Sequence, residues 1–120
     1  EDGLVVKWII ESAALNNQEI TELTRLISKI VVETVGEQKA RNVFVKTSTG
    51  FYKPEDGSSG GATVDAVSIM SQNAGPLKVK ASGGIYSRED LNNMLDAGAS
   101  RVGTSAGLEI IKGGQGNTDY

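Results

Sequence analysis

Short apolar runs alternate with amphipathic stretches four times along this 120-residue sequence. The runs predicted as strands are residues 4–10, 43–46, 77–81 and 101–103. Each run is followed by a stretch in which apolar residues recur at helical spacing. Strands that alternate with helices are typical of a parallel sheet. The sequence therefore predicts an α/β fold of four βα units, which is either half of an eight-stranded barrel or an open four-stranded sheet.

Residues that commonly cap helices stand where the predicted helices begin. The predicted caps are Asn16 or Asn17, Thr63 and Ser87, and a fourth short helix is predicted at about 106–112. The helical residues predicted to be buried are Ile20, Leu23, Leu26, Ile27, Ile30, Val31, Val64, Val67, Met70, Leu91, Met94 and Leu95. The first strand is apolar almost throughout, so we expect it to be buried on both faces.

The length of the chain is that of one domain at most. We expect residues 1–120 to form one half-barrel segment, with residues 113–120 as a flexible C-terminal tail. The chain begins with Glu1 rather than Met and shows no signal peptide. These features predict a trimmed start and a cytoplasmic protein.

The sequence contains neither cysteine nor histidine. Their absence excludes thiol catalysis, serine–histidine triads and the commonest zinc ligands. The acidic residues lack metal-ligand spacing, so we expect neither a metal nor another cofactor. A net charge of -3 without a basic tract argues against nucleic acid, and no apolar run is long enough to span a membrane. Any chemistry must come from lysine, tyrosine, carboxylate and hydroxyl groups.

Two lysines stand at equivalent ends of neighbouring predicted strands, Lys46 and Lys80. Because adjacent strands lie about 4.8 Å apart, their ammonium groups can approach closely. Like charge and partial burial both lower the pKa of a lysine, and a neutral amine can form a Schiff base with a carbonyl. The alternative is that each lysine buries its stem and extends its charge into solvent.

Glycine-bearing loops follow the third and fourth predicted strands. Ser82-Gly83-Gly84 and Gly103-Thr104-Ser105-Ala106-Gly107 would let backbone N–H groups approach an anion, and the helix after Ser105 adds a positive dipole end. Together the loops predict a phosphate cradle, although each alone is also typical of an ordinary turn. Glu11 is expected to pair with a lysine at the same edge of the sheet.

Five segments of the chain resemble the deoxyribose-phosphate aldolase family. They are residues 7–12, 44–51, 61–63, 79–85 and 97–105. The most specific are Lys-Thr-Ser-Thr-Gly at 46–50 and Lys-Ala-Ser-Gly-Gly at 80–84. The resemblance implies the second half of a TIM (β/α)8 barrel, strands five to eight. It also implies a class I lyase that reversibly cleaves 2-deoxy-D-ribose 5-phosphate to D-glyceraldehyde 3-phosphate and acetaldehyde, in deoxyribonucleotide catabolism.

The resemblance also implies roles for particular residues. Lys46 would form the Schiff base, and Lys80 would lower its pKa. The terminal Tyr120 would assist proton transfer at the enamine carbon, although a tail without function is the alternative. The substrate phosphate would be held by Gly50, Gly83, Gly84 and Ser105.

The resemblance leaves part of the family's machinery unmatched. The family's catalytic aspartate belongs to the first half of the barrel, which has no counterpart in this chain. We therefore expect a complementary half-barrel or a homo-oligomer, and a non-catalytic half-barrel that self-associates is the alternative. A simple phosphate-binding module is a third reading. Lys78 is atypical, since alternation places it on the same side as Lys80 and deeper in the barrel.

Overall fold

The computed structural model describes residues 3–114, which form one parallel sheet with helices. The strands are β1 (Val6–Ile9), β2 (Val43–Lys46), β3 (Lys78–Ser82) and β4 (Arg101–Gly103). The helices are α1 (Asn17–Val35), α2 (Glu37–Ala40), α3 (Val64–Asn73), α4 (Arg88–Asp96) and α5 (Gly107–Ile111), with a 3-10 turn at Ser12–Ala14. The prediction of four βα units is confirmed.

The strands lie in chain order, β1-β2-β3-β4, and every neighbouring pair is parallel. Alternate side chains therefore project to opposite faces of the sheet. Val45, Val79 and Ala81 are buried in the hydrophobic core that the sheet shares with the helices. Lys46 and Lys80 project to the other face, which we call the inner face. The helices thus support the sheet from one side and leave the lysines on the other.

The first strand is not buried on both faces, and that prediction was wrong. All four residues of β1 are exposed, with Val6 and Trp8 each at 50%. The strand has a hydrogen-bonded neighbour on one side only, β2, because it lies at the edge of the sheet. A continuous apolar run predicts a buried strand, but it does not show which elements pack against the two faces of that strand.

The apolar residues that recur at helical spacing are only partly buried. Ile20, Val31, Val67, Met70 and Met94 lie in the core, as predicted, and Leu23, Ile27 and Leu91 pack partly against it. The prediction was wrong for Leu26, Ile30, Val64 and Leu95, which are exposed. In α1 the buried line runs instead through Thr24 and Ser28, where the Ser28 hydroxyl donates to the Ala74 carbonyl at 2.8 Å. Small polar side chains let α1 approach α3 closely, which apolar spacing does not reveal.

Asn16, one of the two caps that the sequence predicted, begins α1 with a capping box. Its Oδ1 accepts from the Glu19 N–H at 2.9 Å, while the Glu19 carboxylate accepts from the Asn16 N–H at 2.8 Å. Asn16→Ala removes one of these bonds, so we expect the free energy of unfolding to fall by about 1 kcal/mol. Urea unfolding followed by circular dichroism measures the loss. Asn17→Ala is the matched control, and equal losses in the two variants would contradict the capping role.

Candidate active site

Lys46 and Lys80 are register partners on adjacent parallel strands, as the sequence predicted. Both end up half-buried on the inner face. The same layer continues on both sides, because Ile9 pairs with Lys46 and Arg101 pairs with Lys80. The sheet therefore places two amines and a guanidinium side by side in one layer of the inner face.

The pKa of Lys80 is lowered from its ordinary value. Partial burial is the main cause, because it disfavours the charged form of the amine. Repulsion from Lys46, Lys7 and Arg101 lowers it further, in that order. The sequence prediction assigned the lowered pKa to Lys46 with Lys80 as its cause, whereas the structure gives Lys80 the lowered value.

A cavity of about 630 Å³ opens above the lysine pair. Seven residues were assigned a catalytic or phosphate-binding role from the sequence, and six of them line this cavity: Lys46, Gly50, Lys80, Gly83, Gly84 and Ser105. The seventh, Tyr120, lies outside the described residues, as does most of the predicted tail at 113–120. No carboxylate among the described residues lines this cavity. Its charged lining is thus cationic.

The loop after β2 folds back onto the loop after β3. The Ala62 N–H donates to the carbonyls of Ser82 and Gly83, both at 3.0 Å. Gly61 lies so close to Gly83 that a Cβ built on Gly61 would be 2.3 Å from the Gly83 carbonyl carbon. Gly83 and Gly84 both have positive φ, 80° and 73°, which glycine adopts without strain. The two glycine loops therefore form one wall of the cavity.

Thr47 and Ser48 brace this wall from inside, a role that the sequence analysis missed. Both are fully buried directly after Lys46. The Thr47 hydroxyl donates to the Ser82 carbonyl at 3.2 Å and accepts from the Ser82 N–H at 3.1 Å, and the Ser48 hydroxyl donates to Thr47 Oγ1. The signal was present, since hydroxyl residues follow a buried strand, but the sequence pattern predicted only a polar loop. These bonds tie the end of β2 to the end of β3.

Glu11 does not pair with a lysine, so that prediction was wrong. Its carboxylate accepts from the Thr49 hydroxyl at 2.6 Å and from the Thr49 N–H at 3.2 Å. Thr49 provides two donors that converge on the carboxylate, and they engage both of its oxygens. Glu11 therefore anchors the start of the loop that leads to Gly50.

The loop after β4 is shaped by Thr104. Its hydroxyl donates to the Ile85 carbonyl at 2.6 Å and accepts from the Ala106 N–H at 3.0 Å. Ser105 is left exposed at the cavity. The following helix α5 has only five residues, so it contributes less of a dipole than the sequence analysis expected.

Lys78 lies on the inner face below Lys80, as alternation predicted. It is exposed, and its Nζ is 5.8 Å from the centre of the Phe44 ring. Solvation removes the cost that burial of a third inward lysine would carry. Among residues 3–114, no group of acidic side chains could hold a metal ion, and no helix has the length and apolarity needed to cross a membrane.

Curated proteins that match the chain over its length are named deoxyribose-phosphate aldolase. The protein from Staphylococcus epidermidis is 44% identical over 120 residues, and the one from Streptococcus sanguinis is 43% identical. Each alignment covers 99% of this chain and 47% of the relative. Over its length the chain is thus similar to about half of a deoxyribose-phosphate aldolase. It spans about half the length of the curated relatives it matches, and no protein-family model matches it.

Solved aldolase structures share the fold of this chain. The structure described as QR15, an aldolase, superposes with a TM-score of 0.66 at 37% identity, over 88% of this chain and 41% of the other. The tetrameric deoxyribose phosphate aldolase from Aeropyrum pernix gives 0.66 at 31% identity, over 92% and 41%. These superpositions favour the (βα)4 half of a TIM-type barrel over an independent open four-stranded sheet.

Proposed function

We propose that this chain is the Schiff-base half of a class I aldolase that reversibly cleaves 2-deoxy-D-ribose 5-phosphate to D-glyceraldehyde 3-phosphate and acetaldehyde. The observation that carries the proposal is the register pairing of Lys46 with Lys80 at the cavity floor. With this substrate, the reaction belongs to deoxyribonucleotide catabolism in the cytoplasm. The names of the relatives support the choice of substrate.

The lysine pair is proposed to supply the amine that forms a Schiff base with the substrate aldehyde. The neutral Lys46 amine attacks the aldehyde carbon, and loss of water leaves a protonated imine. The bond between the second and third sugar carbons then breaks as the third-carbon hydroxyl loses its proton, and the electron pair passes into the imine to give an enamine. Protonation of the second carbon and hydrolysis release acetaldehyde. The lowered pKa of Lys80 means that the pair yields a proton at a lower pH than an isolated lysine does.

The glycine wall is proposed to hold the substrate phosphate. Gly83 and Gly84 have no side chains between their backbone and the cavity, and Gly50 and Ser105 line the same space. Backbone N–H groups in glycine loops bind phosphate because the anion can approach them closely. Tyr120, which lies outside the described residues, is proposed to deliver the proton to the enamine carbon.

Full turnover is proposed to require a second half-barrel. Within the described sheet, β1 and β4 each have one hydrogen-bonded neighbour, and the relatives are about twice as long. Exposed apolar side chains, including Trp8 on the edge strand β1 and Ile111 on α5, favour association and so support the alternative of a non-catalytic half-barrel that self-associates. Two copies joined through their inner faces would, however, bring like-charged lysines together.

Trapping with acetaldehyde tests the proposal on this chain alone. Sodium borohydride reduces an imine to a stable N-ethyl lysine, which peptide mass mapping locates. We expect the modification at Lys46 in preference to the exposed lysines, because Lys46 lines the cavity as the register partner of Lys80, whose pKa is lowered. The modification should rise with pH through the lowered pKa of Lys80.

The outcome of trapping separates the two lysines. Preferential modification of Lys80 would overturn the assignment of Lys46 while keeping the amine chemistry. Modification spread evenly over exposed lysines such as Lys29 and Lys112 would overturn the Schiff-base function itself. A tight dimer without any preferential adduct would favour the self-associating alternative.

A further inference from the structure

Arg101 is the register partner of Lys80 on the side opposite to Lys46. It is the first residue of β4, and Lys80 is the middle residue of β3. The amine of Lys80 is therefore flanked by a cationic side chain on each neighbouring strand. Among the described strand residues only Phe44 is placed in the same way, between Lys7 and Lys78, and it carries no titratable group.

An aromatic ring holds the guanidinium of Arg101. Its Cζ lies 4.7 Å from the centre of the Phe44 ring, within the range of a cation–π interaction. Phe44 projects to the same face as Lys46, yet it is only 4% exposed, whereas Lys78 and Arg101 on that face are exposed. The side chains of Lys78 and Arg101 thus cover the Phe44 ring.

No acidic group among residues 3–114 forms an ion pair with Arg101. Among residues 3–114 the only ion pair within 4.0 Å joins Arg41 to Glu37. The carboxylate of Glu11 is engaged by Thr49. The positive charge of Arg101 therefore acts on its neighbours without a partner in the described part of the chain.

We propose that Arg101 is a positioning residue for the amine pair, a permanent positive charge that is fixed on Phe44 and acts on Lys80 from the side opposite to Lys46. The inference deepens the proposed function and rests on it for its catalytic meaning. A guanidinium suits the role because it keeps its charge throughout the range in which lysines titrate. A lysine at position 101 would lose its charge in the same range as the group it acts on.

The groups that shift the pKa of Lys80 all act in the same direction. Lys7 on β1, Lys46 on β2 and Arg101 on β4 each lower the pKa of Lys80, in addition to its burial. Lys53, Tyr52 and Tyr86 also line the cavity, which has no carboxylate among its described residues. Loss of the Arg101 charge is therefore expected to raise the pKa of Lys80, and no carboxylate in the described lining of the cavity offsets the change.

Competitive labelling measures this effect without any aldehyde. The 120-residue chain is acetylated with trace acetic anhydride over a series of pH values, and peptide mass mapping gives the labelling midpoint of each lysine. In the unchanged chain we expect the Lys80 midpoint to lie below that of the exposed Lys112. In Arg101→Met it should rise, with a matching fall in the labelling rate of Lys80 at neutral pH.

Three further variants make the test specific. Arg41→Met removes the same charge from an exposed site outside the cavity and should leave the Lys80 midpoint unchanged. Arg101→Lys should restore part of the lowering. Phe44→Leu keeps the Arg101 charge but removes the ring that holds it, so a smaller rise is expected and the test survives if Arg101→Met does not fold.

The results distinguish the two proposals. Circular dichroism first shows whether Arg101→Met and Phe44→Leu are folded. If both folded variants have the same Lys80 labelling midpoint as Arg41→Met, Arg101 has only a structural role and the inference is overturned. A rise in the midpoint together with an absence of preferential acetaldehyde trapping would retain the Arg101 inference and reject the Schiff-base function. Preferential trapping with an unmoved midpoint would do the reverse.

Discussion

Lys46→Met is expected to abolish the preferential acetaldehyde adduct. Methionine matches the length and apolar character of the lysine stem but has no amine, so no imine can form at this position. Loss of a covalent nucleophile costs on the order of 10³-fold or more in rate, and we expect adduct formation at the cavity to fall at least that far. The adduct is quantified by intact mass after reduction.

Two control variants show whether the loss of the adduct is specific to Lys46. Lys29→Met removes an exposed lysine from α1 and should leave the adduct unchanged. Lys80→Met should retain the Lys46 adduct but change its pH dependence, since the flanking amine is gone. An adduct of undiminished yield in Lys46→Met, mapped to Lys80, would show that the two lysines have exchanged roles.

Gly61→Ala is expected to produce the largest loss of stability. A Cβ at this position would lie 2.3 Å from the Gly83 carbonyl carbon, 2.5 Å from its oxygen and 2.7 Å from the Gly84 nitrogen. These are backbone atoms of the opposite loop, so no side chain can rotate away to relieve the overlap. We expect a loss of about 3 kcal/mol in the free energy of unfolding, together with a widened glycine wall.

Gly107→Ala is the matched control for this substitution. A Cβ on Gly107 meets nothing within 4 Å, and the residue is the first of α5, where alanine is the better helix former. Its unfolding midpoint in urea should stay the same or rise slightly. If Gly61→Ala unfolded at the same urea concentration as Gly107→Ala, the close packing of the two loops would be refuted.

Local signals predicted the elements well. The strands at 43–46 and 101–103 and the caps at Asn16, Thr63 and Ser87 are observed as predicted. Capping and strand formation depend on residues a few positions apart, so the sequence carries their whole cause. Burial was less predictable, as Leu26 and Val64 show, because it depends on which distant element covers a side chain.

The candidate site likewise has parts that could be predicted from the sequence and parts that could not. The lysine pair on neighbouring strands could be identified from the sequence, since the order of βα units places successive strands side by side, although Lys80 lies in the middle of β3 rather than at its end. The partner of Glu11 and the buried bracing by Thr47 could not, because these contacts join loops 35 or more residues apart. Arg101 gave no signal, since a strand of three residues has too few positions to show which face each occupies.

The sequence by itself determined the order of βα units, the lysines on neighbouring strands and the glycine loops after them, because all of these follow from residue type and short-range spacing. Only the tertiary structure decided the register that sets Arg101 beside Lys80 and lays its guanidinium on Phe44. The lowering of the Lys80 pKa depends on those through-space neighbours. Electrostatic interaction depends on distance in space, and adjacent strands bring together charges that are far apart along the chain.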